Sequence, residues 1–483
     1  MAEPYISVVV AARNDNHGGN MLGRMQAFLD SWTVQAERYG LPSEIVVVEW
    51  NPPASSPRLI DALRRPPQPG PCAVRFVEVA PELHAALPNS TAIPLHQMIA
   101  KNAGIRRARG QFVLATNIDI VFSPELMRFL AGRSLDRGVL YRVDRYDVAD
   151  AIPDAAAGVD ALLEHCNSRL LRVFAAEGTF GVRDGEPRCD EERDIADAGI
   201  GFGRGWNPVE QQDDRRYRWI ASVGRVFFER PPGSAMTIIA EVGPSNGGEP
   251  LKVEVLDASG AVVAAALVEG RCRLRLHFPD SAESGVFTLR AQGRAVPLFP
   301  EIRLLHFRVH GLRWETAAGK PADWRLEMVE AEPGTDWAAT LQAPAPEAAR
   351  MRNAGWLHVN ASGDFTLLAR DAWFRLRAYP EFPIWPVHVD ALFCYAAHHA
   401  GMRETVLRDP MRIFHIEHSS GAGWTPEGEQ ALHTRVAELR VPVLDFDGDI
   451  GGWVQHMRRL NAPAIFNLES WGLAGVDLPE RQG

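Results

Sequence analysis

Lys101-Asn-Ala-Gly-Ile-Arg-Arg-Ala-Arg-Gly-Gln-Phe-Val-Leu-Ala-Thr-Asn-Ile-Asp-Ile120 is the stretch on which the reading of this chain turns. Its spacing predicts a helix over 96–109 that runs into a buried strand over 111–116. Asn117 and Asp119 follow at the strand's carboxyl end. In open α/β sheets, ligands bind beyond the carboxyl ends of the strands. In an extended segment, positions i and i+2 point the same way. Asn117 and Asp119 would then face one ligand while Ile118 faces the core. Oxygen ligands in such a place suit Mg²⁺ or Mn²⁺, shared with phosphate oxygens. The competing reading is a strand-end Asx-turn with no ligand.

The flanking sequence repeats this alternation. Ile6-Ser-Val-Val-Val-Ala-Ala12, Glu44-Ile-Val-Val-Val-Glu49 and Val74-Arg-Phe-Val-Glu-Val79 are short apolar runs expected of strands covered on both faces. Met21 to Tyr39 has helical spacing, with Leu22, Met25, Phe28, Leu29 and Trp32 on one face. Ser123-Pro-Glu125 is a helix start, Ser at the N-cap and Pro at the first helical position. Strands alternating with helices predict an α/β fold with a mostly parallel sheet flanked by helices. Near residue 200 the helical period fades. Leu251–Leu256, Cys272–Phe278, Gly285–Arg290 and Ile302–Val309 alternate instead, separated by Gly, Pro, Ser and Asp. They predict an antiparallel β-sandwich. Beyond Trp356 the α/β character returns.

Length and composition set the limits. The chain has 483 residues, 46% apolar and 23% charged. At about 150 residues per domain it holds roughly three domains, or one domain carrying an insertion. Fifty-one basic against 61 acidic residues leave a net charge of −10, which speaks against nucleic acid as a partner held through phosphates. Five scattered cysteines without a Cys-x-x-Cys pair speak against a disulfide framework or structural zinc and point to a reducing, cytoplasmic setting. No apolar stretch approaches 18 residues, so no transmembrane segment is expected; peripheral contact with a membrane stays open.

Four places resemble the first half of family-2-like glycosyltransferases with the GT-A fold. Ile6–Ala12 with Arg13-Asn14 is similar to the opening nucleotide-binding strand and loop. Val46-Val-Val-Glu49 is similar to the second strand, whose terminal acid contacts the nucleotide. Lys101-Asn102 to Gly110 is similar to the helix before the Asp-x-Asp motif, and Asn117-Ile-Asp119 to that motif, with Asn117 where the family usually has Asp. The resemblance implies a GT-A-like sheet interrupted by the sandwich. The expected parts are a nucleotide-sugar-binding half (1–200), the sandwich (201–313), a connection (314–350), an acceptor-side half (351–425) and a C-terminal extension (426–483).

It also implies roles. Ala11, Arg13, Asn14, Glu49, Lys101, Asn102 and Asn117 would bind the donor. Asp119 would hold Mn²⁺ or Mg²⁺ together with a histidine, His415 being preferred to His418 in Arg412-Ile-Phe-His-Ile-Glu-His418. In a strand those two histidines would face opposite sides. Asp390, opening a helix at His388-Val-Asp390, matches the catalytic base, although the helix dipole alone stabilises an acid there. Asp364 would bind the acceptor, a glycan or lipid-linked saccharide. Trp206 and Trp219 are read as core more readily than as sugar platforms. The activity implied is metal-dependent, inverting transfer of a sugar from a nucleotide diphosphate to a hydroxyl. A catalytically silent carbohydrate-binding scaffold and a nucleotidyltransferase are the alternatives.

Overall fold

The computed structural model describes residues 3–482 except 65–69, 190–193, 208, 213–214, 221, 247–248, 294–304, 318–320, 338–356 and 419–425. The first three residues of the run Ile302–Val309 therefore lie outside the described residues. The chain divides into two compact units, Met1–Phe174 with Leu357–Gly483, and Ala175–Trp356.

The first unit is mixed α/β. β1 (Ile6–Ala12), β2 (Ser43–Trp50), β3 (Cys72–Val79) and β4 (Phe112–Ala115) form its centre. β1 pairs in parallel with both β2 and β4, and β2 with β3. Every residue of β1 and β2 is buried, which is why these runs are apolar without alternation. The helix Gln97–Arg107 packs onto them through Gly104, where a Cβ would come within 2.5 Å of a Val9 methyl.

The sheet departs from the mostly parallel arrangement expected. Its order is Arg403–Leu407, β6 (Val139–Val143), Thr366–Ala369, β4, β1, β2, β3, Glu480–Gln482. Thr366–Ala369 enters antiparallel between β4 and β6, and Glu480–Gln482 runs antiparallel on β3. Both strands come from the distant C-terminal part of the chain, so no short crossover constrains their direction. A smaller sheet joins β5 (Ile120–Phe122), Ile413–Ile416, β7 (Arg145–Val148) and β8 (Leu170–Ala175). The helix α1 (Met21–Tyr39) buries Met25, Phe28, Leu29 and Trp32 in the shared core.

The second unit carries two antiparallel sheets. One has the order Ile200–Phe202, Val223–Glu229, Ser284–Gln292, Leu251–Leu256, Val262–Val268; the other runs Glu210–Gln212, Arg215–Ile220, Phe307–Thr316, Ser234–Val242, Arg271–His277, Arg325–Glu332. Residues of both, such as Val253, Phe287, Ile238 and Leu274, share one core. Trp206 and Trp219 are buried. Arg325–Glu332 is a strand in the segment read as connection; it buries Leu326 alone, too weak an apolar signal to reveal it. No described helix is long and apolar enough to cross a membrane, and none of the five cysteines is in a disulfide among the described residues.

Candidate metal and donor site

The site forms where β4 ends. Residues 118–119 make a turn instead of prolonging the strand. Asn117 therefore meets Asp364: its Nδ2 donates to Asp364 Oδ1 at 2.6 Å, while Gln97 Nε2 donates to Asn117 Oδ1 at 2.9 Å. Asp119 meets His415 and His418 instead. The shared orientation expected of 117 and 119 required an extended backbone, and the turn separates them.

Sheet register delivers His415. Its strand lies between β5 and β7, with His415 opposite Ile120 on one side and Asp147 on the other. Arg172 of β8 stands opposite Asp147. Side chains directly opposed across strands meet, so His415 Nδ1 lies 3.2 Å from Asp147 Oδ1, and Arg172 Nη2 lies 3.1 Å from Asp147 Oδ2. Arg145 Nε reaches Asp147 Oδ1 at 3.0 Å. Burial pushes the Asp147 carboxyl up, but Arg145, His415 and Arg172 hold it well below the usual carboxylate range. An ionised acceptor there keeps the proton on Nδ1 and turns Nε2 towards Asp119 Oδ2, 3.8 Å away.

His418 joins the same carboxylate, with Nε2 at 3.6 Å from Asp119 Oδ2. The strand ends at Ile416, so the opposite-facing geometry expected of the two histidines does not apply. Burial pushes the His418 imidazole down to about 4, with Arg24, His415 and His17 opposing protonation against the pull of Asp119. Asp119 Oδ1 is buried and has no hydrogen-bond partner among the described residues. Ligand atoms of Asp119, His415 and His418 lie within 4.8 Å of one another. Two imidazoles and a carboxylate with an orphaned oxygen fit a divalent ion, and the nitrogen ligands suit Mn²⁺ better than Mg²⁺. The overlapping group Asp147, His415 and Glu417 is already neutralised, since Arg172 pairs with both acids.

Behind this centre runs a buried ionic layer. Arg145 Nη1 donates to Asp364 Oδ2 at 2.6 Å, and the Asp364 carboxyl stays ionised below its ordinary range despite burial. Both Asp364 oxygens are thus engaged by protein groups. Lys101 is fully buried, donates from Nζ to the Gly363 carbonyl at 2.8 Å, and is pushed by burial down to about 8 against the pull of Asp364, Asp390 and Asp119. Asp390 sits half-buried in the first turn of Val389–His399. The Ser362 hydroxyl donates to its Oδ2 at 2.6 Å, and Oδ1 has no hydrogen-bond partner among the described residues.

The other expected donor residues have these surroundings within the protein. Asn102 donates to the carbonyl of Tyr379 and accepts from its N–H, pinning the chain at 379. Both Glu49 oxygens accept from the Leu59 N–H, at 3.0 and 3.1 Å. Arg13 donates to the Asn51 carbonyl and pairs with Asp15 at 2.7 Å, and Asn14 donates to the Pro57 carbonyl. Ala11 is buried beside Val48. Arg145, Asp147 and Arg24 were not read from the sequence. Arg145-Tyr-Asp147 carried a usable signal, two opposite charges at strand spacing in an otherwise buried run.

No family model matches the chain, and no curated protein sequence matches it. Among solved structures it is similar to an active-site mutant of LgtC, at 19% identity and a TM-score of 0.19, over 28% of this chain and 45% of that one. It is likewise similar to galactosyltransferase LgtC in complex with donor and acceptor sugar analogues, at 17% identity and a TM-score of 0.19, over 30% and 47%. The chain thus spans less than half the length of the LgtC chains it matches.

Proposed function

We propose that the chain is a metal-dependent glycosyltransferase that moves a sugar from a nucleotide diphosphate to a hydroxyl of a saccharide acceptor. The observation that carries this reading is the buried Asp119–His415–His418 group with its orphaned Asp119 oxygen, set at the carboxyl end of β4. A divalent ion held by these three residues would neutralise charge on the departing diphosphate. The two histidines supply ligands that the Asn117 variant of the acidic motif does not, so the missing carboxylate does not leave the group short.

Asp390 would accept the acceptor proton on Oδ1 while Ser362 orients the carboxylate through Oδ2. Lys101, beside Asp390 and Asp364, favours the ionised state of Asp364. Asp364 would shape the acceptor side through Asn117 and Arg145. A single base and in-line attack at the anomeric carbon favour inversion.

The test is a thermal-shift panel of UDP, GDP and dTDP with and without Mn²⁺, followed by donor turnover. We expect one diphosphate to stabilise the protein only with Mn²⁺. Asp119→Ala should lose both the shift and turnover, and Asp390→Asn should lose turnover alone. No shift with any nucleotide, Mn²⁺ present, would refute the reading.

A further inference from the structure

Arg24 is unexplained by the fold. It lies in the first turn of α1, is 2% exposed, and its Nε and Nη1 are buried with no hydrogen-bond partner among the described residues. Among the described residues its side chain makes one hydrogen bond, from Nη2 to the His17 carbonyl at 2.6 Å. A buried guanidinium with idle N–H groups is unfavourable unless an acceptor arrives.

Its surroundings point to the metal group. A Cβ on Gly18 would stand 2.5 Å from His418 Nδ1 and 3.1 Å from Arg24 Nη2, so imidazole and guanidinium flank the same glycine. Gly18 has φ +71°, a conformation that brings the backbone this close at no steric cost. The His17 ring also packs against His418, 5.7 Å between centroids. Arg24 feels the charges of Asp119 and Glu417 without an ion pair to either. The start of α1 adds to this: it has no acid in its first turn, Asn20 makes no side-chain cap, and Asn16 Oδ1 accepts only from the Met21 N–H, at 3.3 Å.

We propose that Arg24, at the start of α1, is the seat for the diphosphate of the donor, its Nε and Nη1 donating to phosphate oxygens beside the Asp119–His415–His418 group. The idle Nε and Nη1 lie on different edges of the guanidinium and suit charge-assisted bonds to two separate oxygens of a diphosphate. This rests on the glycosyltransferase reading and adds a residue that distinguishes a diphosphate from a nucleoside.

The test is calorimetric titration of the full chain with inorganic pyrophosphate and with the best diphosphate of the panel, in Mn²⁺, and separately with Mn²⁺ alone. Arg24→Met keeps the side chain's apolar length without its donors. We expect at least tenfold weaker pyrophosphate and nucleotide binding, with Mn²⁺ affinity unchanged or tighter because a neighbouring cation is gone. Arg24→Lys should recover part of the loss and also serves if Arg24→Met does not fold. A merely structural Arg24 would lower thermal stability and leave pyrophosphate affinity within twofold, which would overturn the proposal while leaving the glycosyltransferase reading standing. If the unaltered protein binds neither pyrophosphate nor any diphosphate, both fail.

Discussion

Asp147 touches no expected substrate, yet it decides what His415 can do. It fixes the proton on Nδ1, and Arg145 and Arg172 keep it ionised. Asp147→Asn should therefore weaken Mn²⁺ binding by about 10- to 100-fold, measured by calorimetry, while Asp364 and Glu417 continue to satisfy the two arginines. Asn117 makes the opposite point. It reads as a damaged acidic motif, but its amide bridges Gln97 and Asp364. Asn117→Asp would put a second carboxylate 2.6 Å from Asp364 Oδ1 in place of a donor. We expect a loss of about 1–3 kcal/mol in stability by denaturant titration and no gain in Mn²⁺ affinity. A tighter Mn²⁺ site in that variant would show that position 117 is a ligand position after all.

At the scale of elements, β2 ends on an acid that serves the next helix. Glu49 accepts from the first N–H of Leu59–Ala62, and burial pushes its carboxyl up to about 7 despite that bond and Arg58. The folded protein then binds a proton that the unfolded chain releases near pH 4.5. The contribution is fully present below the unfolded value and is lost as pH rises through about 7. Glu404, which accepts from the His358 N–H, is raised by burial in the same way and to the same range. Stability should fall between pH 4.5 and 7 from these two groups, and Glu49→Gln should flatten part of that slope in thermal melts; an unchanged slope would contradict the assignment. Strand ends were legible because buried parallel strands are continuous apolar runs. Cross-strand neighbours were not, because register couples residues such as 147 and 415 that are hundreds of positions apart.

At the scale of the molecule, the two units have separate cores. Residues 175–356 expressed alone should therefore give β-type circular dichroism and one cooperative melt. Joining 174 to 357 by a flexible linker should leave Mn²⁺ binding intact, since Asp119, Asp147, His415 and His418 all lie in the first unit. A molten product from either piece would show that the units depend on each other for folding. The change from helical to alternating periodicity near residue 200 is local information, so a second, β-rich part of the chain was readable. The extra strand Arg325–Glu332 was not, because an edge strand with one buried residue has almost no pattern.

The sequence by itself determined the alternation of buried strands and helices, because burial and period are properties of neighbours along the chain, and its resemblance to glycosyltransferases singled out Asp119, His415 and Asp390. Tertiary structure alone decided that the sheet is mixed, that His418 converges with His415, that Asn117 and Asp364 form one polar bridge, and that Arg24 Nε and Nη1 are buried near His418 without a partner among the described residues. Those outcomes depend on where a turn releases the backbone and on which strands lie side by side, and distances of that kind are set across the fold.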